Sequence, residues 1–224
     1  MAVVMRAAAP APSARIVELV RMTTAYGEDP QLSSVSVQGR PGEELDAALA
    51  LAGAGDSEGF ATLWRCLHPP LVRYLRVIDP RHAEDVASET WVLVLRDLGA
   101  FRGDSSQFRA WLFTIARRRS VDAARARHRQ STGLVERLSS LERPVPVPAA
   151  DAEAYDAMLL DRALLLIQQL PQDQAEVVAL RIVAGLDVAA VAELLHKKPG
   201  HVRVLCHRGL QRLAQTLTPE RLVV

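Results

Sequence analysis

Aromatic side chains are scarce in this chain, with Phe, Trp and Tyr together only 4% of its 224 residues. Any core must be built mainly from Ala, Leu and Val, which favours helices. Cysteine is scarcer still. Cys66 and Cys206 lie far apart in no metal-ligand spacing, so neither a disulfide framework nor a zinc site is readable, and a reducing cytoplasm is the expected compartment. No uncharged run approaches the length of a membrane span, so membrane insertion is not expected. Ala7 to Ala14 is short and broken by Pro10 and Pro12, unlike a secretory leader. A phosphate-cradling glycine loop, a nucleophile with its base and a metal motif are all missing, so no catalysis and no cofactor are expected.

Net charge is also small, at +1, but its distribution is uneven. Glu28 to Glu58 holds seven acids against Arg40, and Ser131 to Ala163 six acids against three Arg. The bases concentrate in two blocks. In the first, Phe101 to Arg129, there are eight Arg against two Asp. Arg102 to Gln107 reads as a Gly- and Ser-containing loop in which Asp104 or Ser105 caps the following helix. Phe108, Trp111, Leu112 and Ile115 then recur at helical period, giving one apolar stripe. Arg117, Arg118, Arg119, Arg125, Arg127 and Arg129 crowd the later turns. Planar, always-ionised guanidinium groups suit phosphates and base edges, so nucleic acid is the expected partner. A core helix with a solvated basic end is the plainer alternative, and the second block decides against it.

That block lies near the C-terminus. Asp187 to Leu195 reads as a short helix, His196 to Gly200 as a tight break, and His201 to Leu217 as a longer helix, together a helix-turn-helix. Ala192 is small enough for a helix crossing. The second helix is expected to bury Val202, Leu205, Cys206, Gly209 and Leu213 and to expose His201, Arg203, Val204, His207, Arg208 and Arg212, as a major-groove reader would. Lys197 to Arg212 carries five Lys or Arg and no acid. His196, His201, Cys206 and His207 match no familiar metal spacing, and Cys206 falls on the buried stripe while His207 faces away.

Between and before these blocks the chain reads as further helices. Residues 1–41 lack a sustained period and read as a disordered extension. Leu45, Ala48, Leu49 and Ala52 mark a first helix. Phe60, Leu63, Trp64, Leu67, Leu71 and Leu75 mark a second, in which Pro69 and Pro70 should kink the helix or reset its first turn. Ala83, Val86, Ala87, Thr90 and Val94 form the inward stripe of a third, with Glu84, Asp85, Ser88, Glu89 and Arg96 outside. Residues 131–157, including a Pro-Val-Pro-Val-Pro run, read as a linker. Helices resume at about 158, stop at Leu170-Pro171, and continue from Gln172 to Ala184 with Gly185 as a C-terminal cap. The expected fold is all-α, with small helical domains at 42–130 and 158–218 and a tail at 219–224.

Taken together, AEDVASETW (83–91), FRGDSSQFRAWLFTIARRRSVD (101–122), LPQDQAEVVALR (170–181) and AGLDVAAVAELLHKKPGHVRVLCHRGLQRL (184–213) resemble an extracytoplasmic-function sigma factor of bacterial RNA polymerase. The resemblance covers nearly everything from Glu43 to Leu217. It implies region 2 and region 4 modules that bind core RNA polymerase and direct promoter recognition and transcription initiation. Glu84, Asp85, Ser88 and Glu89 would dock on the clamp helices of the largest subunit. Arg102, Asp104, Ser105, Arg109, Trp111, Arg117, Arg118, Arg119, Asp122, Arg125 and Arg129 would hold the single-stranded minus-ten element. Lys198, His201, Arg203, Val204, His207 and Arg208 would read the duplex minus-thirty-five element, with region 4 resting on the polymerase flap. An anti-sigma factor is an expected partner of such a protein.

Arg118 stands where the family often has Asn, His196 where its turn usually begins with Gly, and Pro199 lies one place later than the common pattern. Two other readings are open at this point. One is a stand-alone helix-turn-helix regulator. The other is a nucleic-acid enzyme binding Mg²⁺ through Asp79, Glu84 and Asp85, although these lie along an exposed helix face rather than converging.

Overall fold

The structure, a computed structural model, describes residues 41–131 and 152–216. The expected extension other than Pro41, most of the linker and the tail lie outside the described residues. Among the described residues the secondary structure is helical throughout. In chain order the helices are α1 (Pro41–Gly53), α2 (Ser57–Ile78), α3 (Ala83–Asp97), α4 (Ser105–Ser131), α5 (Ala152–Gln168), α6 (Gln172–Val178), α7 (Val188–Leu194) and α8 (Pro199–Thr216). A 3-10 turn, Leu98–Ala100, follows α3, and a π-helical turn, Ala179–Val183, extends α6.

The first four helices form one bundle. Leu45, Ala48, Leu49 and Ala52 of α1 are buried against α2, as their period predicts. The Asp56 carboxylate starts α2 by accepting the Gly59 N–H at 2.7 Å, an N-cap that satisfies one orphan donor of the first turn. Leu63, Leu67, Leu71 and Leu75 then run down its inward face with no exposure at all, and Tyr74 beside them is equally buried.

Pro69 and Pro70 do not reset α2, which runs unbroken from Ser57 to Ile78. The bonds that the two prolines cannot donate would go to the carbonyls of Arg65 and Cys66. Both residues lie on the exposed side, where water can take up the unmet acceptors.

α3 buries Ala83, Val86, Ala87, Thr90, Trp91 and Val94, and the Thr90 hydroxyl donates to the Val86 carbonyl at 2.7 Å. α4 differs slightly from expectation. Phe108, Leu112, Phe113 and Ala116 are fully buried, whereas Trp111 and Ile115 are only partly covered. The apolar face is thus rotated toward Phe113, because Tyr74 of α2 meets that ring edge-on at 5.4 Å.

In the second bundle α5 begins at Ala152, inside the stretch expected as linker. Gly185 sits at φ 69° after the π-turn, the left-handed position of a helix end. α6 and α8 approach closely at Gly209, where a Cβ would lie 2.7 Å from the Val178 side chain. The two bundles are also in contact, since α2 lies against α5, α6 and the π-turn, and α4 against α7.

Gly59 is the tightest point between α1 and α2. A Cβ there would stand 2.7 Å from the Ala52 nitrogen and 2.8 Å from the Ala48 carbonyl oxygen, backbone atoms that cannot swing aside. Gly59→Ala is therefore expected to destabilise the protein by roughly 1–3 kcal/mol, although alanine is the better helix former. Urea unfolding of the two proteins checks it.

Candidate nucleic-acid interface

The loop ahead of α4 is built by local bonds. Asp104 is its N-cap: one carboxylate oxygen accepts the Gln107 N–H at 2.8 Å and the Ser106 hydroxyl at 2.6 Å, while the Gln107 side-chain oxygen accepts the Asp104 N–H at 3.0 Å. This reciprocal arrangement is a capping box. The Ser106 hydroxyl and then the Gln107 N–H hold the Asp104 carboxyl below its usual range. The Ser105 N–H donates to Asp46 of α1 at 2.6 Å, which ties the loop to the bundle. Gly103, at φ 154°, takes a backbone conformation that other residues rarely adopt, and a Cβ there would press on the Phe101 ring and the Gln107 side chain.

The residues expected on the minus-ten track divide by position. Arg102 is exposed, its guanidinium held over the Gly99 and Phe101 carbonyls at 2.9 and 2.7 Å. Ser105 is buried, and Trp111 is half-buried against Phe101 and Phe108. Arg117, Arg118 and Arg119 point in different directions, as 100° per residue requires. Arg118 is exposed, and no described residue bonds to it. Arg119 pairs with Glu89 of α3. Arg117 reaches the second bundle, where its Nε donates to Glu176 at 2.7 Å. Arg109 also turns that way, donating to the Ala184 carbonyl at 3.1 Å. Asp122, Arg125 and Arg129 are exposed near the end of α4, with Asp122 and Arg125 3.9 Å apart. Arg127 instead pairs with Asp79 at 2.6 Å.

On α3, Glu84, Asp85, Ser88 and Glu89 all face solvent. Sequence reasoning missed two neighbours on that face, Val92 and Leu95, which are 65% and 52% exposed. Their signal was spacing, since both continue the line of Asp85 and Ser88 at steps of three and four. Glu84 bonds to Arg76 at 3.1 Å, and Asp79 is engaged by Arg127 and by His82 at 2.9 Å, so these acids serve separate partners. Among the described residues no three His, Cys, Asp or Glu side chains gather as a metal site would require.

The helix-turn-helix is present, with α8 starting at Pro199, inside the stretch expected as the break. Asp187 caps α7 through the Ala190 N–H at 2.7 Å. Val202, Leu205, Cys206, Gly209 and Leu213 are buried, and burial pushes the Cys206 thiol up. Lys198, His201, Arg203, Val204, His207, Arg208 and Arg212 are exposed. Arg212 bonds sideways to Gln174 at 3.1 Å, which leaves the first turns of α8 as the open basic face.

Residues 58–130 match the family model of sigma-70 region 2, and residues 160–213 that of sigma-70 region 4. The extracytoplasmic-function sigma factor SigD of Mycobacterium tuberculosis (strain ATCC 25618 / H37Rv) is 34% identical over 178 residues, which cover 77% of this chain and 83% of that protein. BldN of Streptomyces coelicolor, another such sigma factor, is 32% identical over 188 residues, 80% of this chain and 69% of BldN. The chain belongs to the extracytoplasmic-function RNA polymerase sigma factors. Sigma factors are initiation factors rather than enzymes, so the reading with Mg²⁺ falls away. The region 2 match over the first bundle likewise disfavours a stand-alone regulator.

The fold is shared with solved structures. RpoE of Bartonella quintana, in complex with the anti-sigma factor NepR, gives a TM-score of 0.54 at 21% identity, covering 72% of this chain and 98% of that one. CnrH, in complex with the cytosolic domain of CnrY, gives 0.52 at 21% identity over 78% and 97%.

His196 marks where this sigma factor departs from its family pattern. It stands at φ 53°, a left-handed conformation that disfavours any side chain with a Cβ. His196→Gly relieves that strain at the cost of a freer unfolded chain, and is expected to stabilise the protein by about 0.5–1 kcal/mol. The shift in thermal melting of the full chain reads it.

Proposed function

We propose that this sigma factor binds core RNA polymerase through the outer face of α3, holds the single-stranded minus-ten element with α4 and its loop, and reads the minus-thirty-five duplex with α8. The observation that carries the reading is the exposed stripe of α3. Asp85, Ser88, Glu89, Val92 and Leu95 form one face, acidic at one end and apolar at the other, on a helix whose opposite face is packed. Two large apolar side chains held in water beside fixed acids suit a helical partner surface such as the clamp helices.

On the DNA side, Arg118 is an exposed guanidinium near the start of the basic run, set on the same helix face as Trp111 seven residues earlier. A flipped base beside Trp111 would meet it, while Arg125 and Arg129 would follow the phosphates. On α8, Val204 is 45% exposed between Arg203 and His207, an apolar contact suited to a thymine methyl among donors for bases and phosphates. Region 4 would rest on the polymerase flap. The chain between Ser131 and Ala152, at about 3.3–3.6 Å per residue when extended, reaches on the order of 70 Å, enough for the bundles to engage separate elements. Transcription is a cytoplasmic process in bacteria, and no described helix is long and apolar enough to cross a membrane. An anti-sigma factor is a further proposed partner, supported by the complexes in which fold relatives were solved.

In vitro transcription with core polymerase, with and without this protein, is the direct test. Addition is expected to produce promoter-specific initiation, and no change in transcripts would refute the reading. Asp85→Arg with Val92→Glu is expected to abolish retention on core polymerase in a pull-down. Thermal melting should stay within about 0.5 kcal/mol of wild type, because both positions lie away from the core.

The two α8 residues are separable on promoter variants. Arg203→Ala is expected to weaken use of the preferred upstream element by about 1–3 kcal/mol if it bonds a base, and Val204→Ala to flatten a preference for thymine at one position. Equal losses on every template would make both of them backbone contacts.

A further inference from the structure

The hydrogen bonds that shape the loop ahead of α4 are local, with one exception among the described residues. Those of Arg102, Asp104, Ser106 and Gln107 close within residues 99–107, and the Phe101 ring packs back on Phe108 and Trp111 of α4 itself. They give the loop its shape but not its place. The Ser105 N–H instead donates at 2.6 Å to Oδ1 of Asp46, 59 positions earlier on α1.

Asp46 is set for this by its own helix. Leu45, Ala48 and Leu49 are buried, and α1 lies against the 3-10 turn and α4 as well as against α2. Gly59 permits that placement, since it lets the backbones of α1 and α2 come together. An exposed carboxylate on α1 thereby meets the first N–H of α4, on a residue that is itself buried. Apolar burial is non-directional, so Phe108 and Leu112 hold α4 in the core without fixing how its first turn is rotated. A short bond to an ionised acceptor is directional, and does fix it.

The same bond closes the start of α4 to anions. A helix N-terminus attracts phosphate through its unmatched N–H groups. Here Asp46 takes the N–H of Ser105 and Asp104 that of Gln107. Two fixed carboxylates at this end repel the phosphates of a strand, so the loop is left to meet a base.

We propose that Asp46 is a positioning residue for minus-ten recognition: from α1, and through Ser105, it sets where the loop and the first turn of α4 stand, and so sharpens discrimination among bases. A recognition site needs its groups held to within about 0.5 Å, and a directional tether to a second helix supplies that. The tether stands on the geometry alone, whereas the effect on base preference rests on the function proposed for α4.

The test uses the full chain and three variants. Asp46→Ala removes the acceptor, Asp46→Asn keeps an acceptor oxygen without the charge, and Glu44→Ala removes an exposed like charge from the same helix as a control. Far-UV circular dichroism confirms that each stays helical. Hydrogen exchange at the Ser105 amide reads the bond with neither DNA nor polymerase present. It is expected to quicken about tenfold in Asp46→Ala, the factor that about 1.4 kcal/mol represents, and to stay near the wild-type rate in the other two. Transcription with core polymerase is then measured on templates varied one base at a time across the minus-ten element. Asp46→Ala is expected to lose about tenfold on the preferred sequence and not to fall on the others, with retention on core polymerase and preference at minus-thirty-five unchanged. Asp46→Asn is expected to recover the discrimination. Unchanged exchange at Ser105 in Asp46→Ala overturns the tether. Faster exchange with an equal loss on every template, or without recovery in Asp46→Asn, makes the bond a cap that only stabilises α4 and overturns the positioning role. A wild-type protein that directs no promoter-specific initiation, while Ser105 exchange still responds to Asp46→Ala, overturns the proposed function and the positioning role with it, and leaves the tether standing.

Discussion

The buried row of α2 is the surface against which the rest of the structure is placed. Leu63, Leu67, Leu71, Tyr74 and Leu75 are without solvent exposure, and α1, α3, α4, α5 and α6 all lie against this helix. A helix enclosed from several sides must present apolar side chains over more than one stripe, and α2 does so with leucines toward its own bundle and a tyrosine toward both. Its phenol supplies the polar end that a leucine could not, so one helix organises two cores. Where α2 faces solvent it tolerates Pro69 and Pro70, because the carbonyls they leave unmatched lie on the wet side.

Much of this was legible in the sequence where apolar and charged positions contrast at helical period. The inward stripes of α1, α3 and α8 and the exposed face of α8 follow directly from that contrast. The face of α3 proposed for docking was only half legible. Its acids declared themselves, while Val92 and Leu95 looked like ordinary apolar residues of a helix, and only the packed opposite face shows that they stand in water.

The contacts between bundles could not be read. Tyr74 and Glu176 are 102 positions apart, and neither belongs to a local motif that names the other. Periodicity reports which face of a helix is covered but not by what. The same limit applies to the arginines of α4. Their density points to nucleic acid, yet four of them, Arg109, Arg117, Arg119 and Arg127, have protein partners that only tertiary structure could assign. Polyvalent charge in a sequence is therefore an upper bound on the charge a folded surface offers to a ligand.

The capping box around Asp104 bears on how this protein would meet a melted strand. Ser106, Gln107 and, through Ser105, Asp46 fix the loop's backbone by hydrogen bonds made within the folded protein. The loop thus enters the encounter with its conformational entropy already lost, so little further ordering is required of the protein when a base arrives. Under the proposed function, discrimination would then reside in the nucleic acid, in how readily each sequence unstacks to fit a rigid receptor. Promoters would be ranked as much by their ease of deformation as by the groups they display.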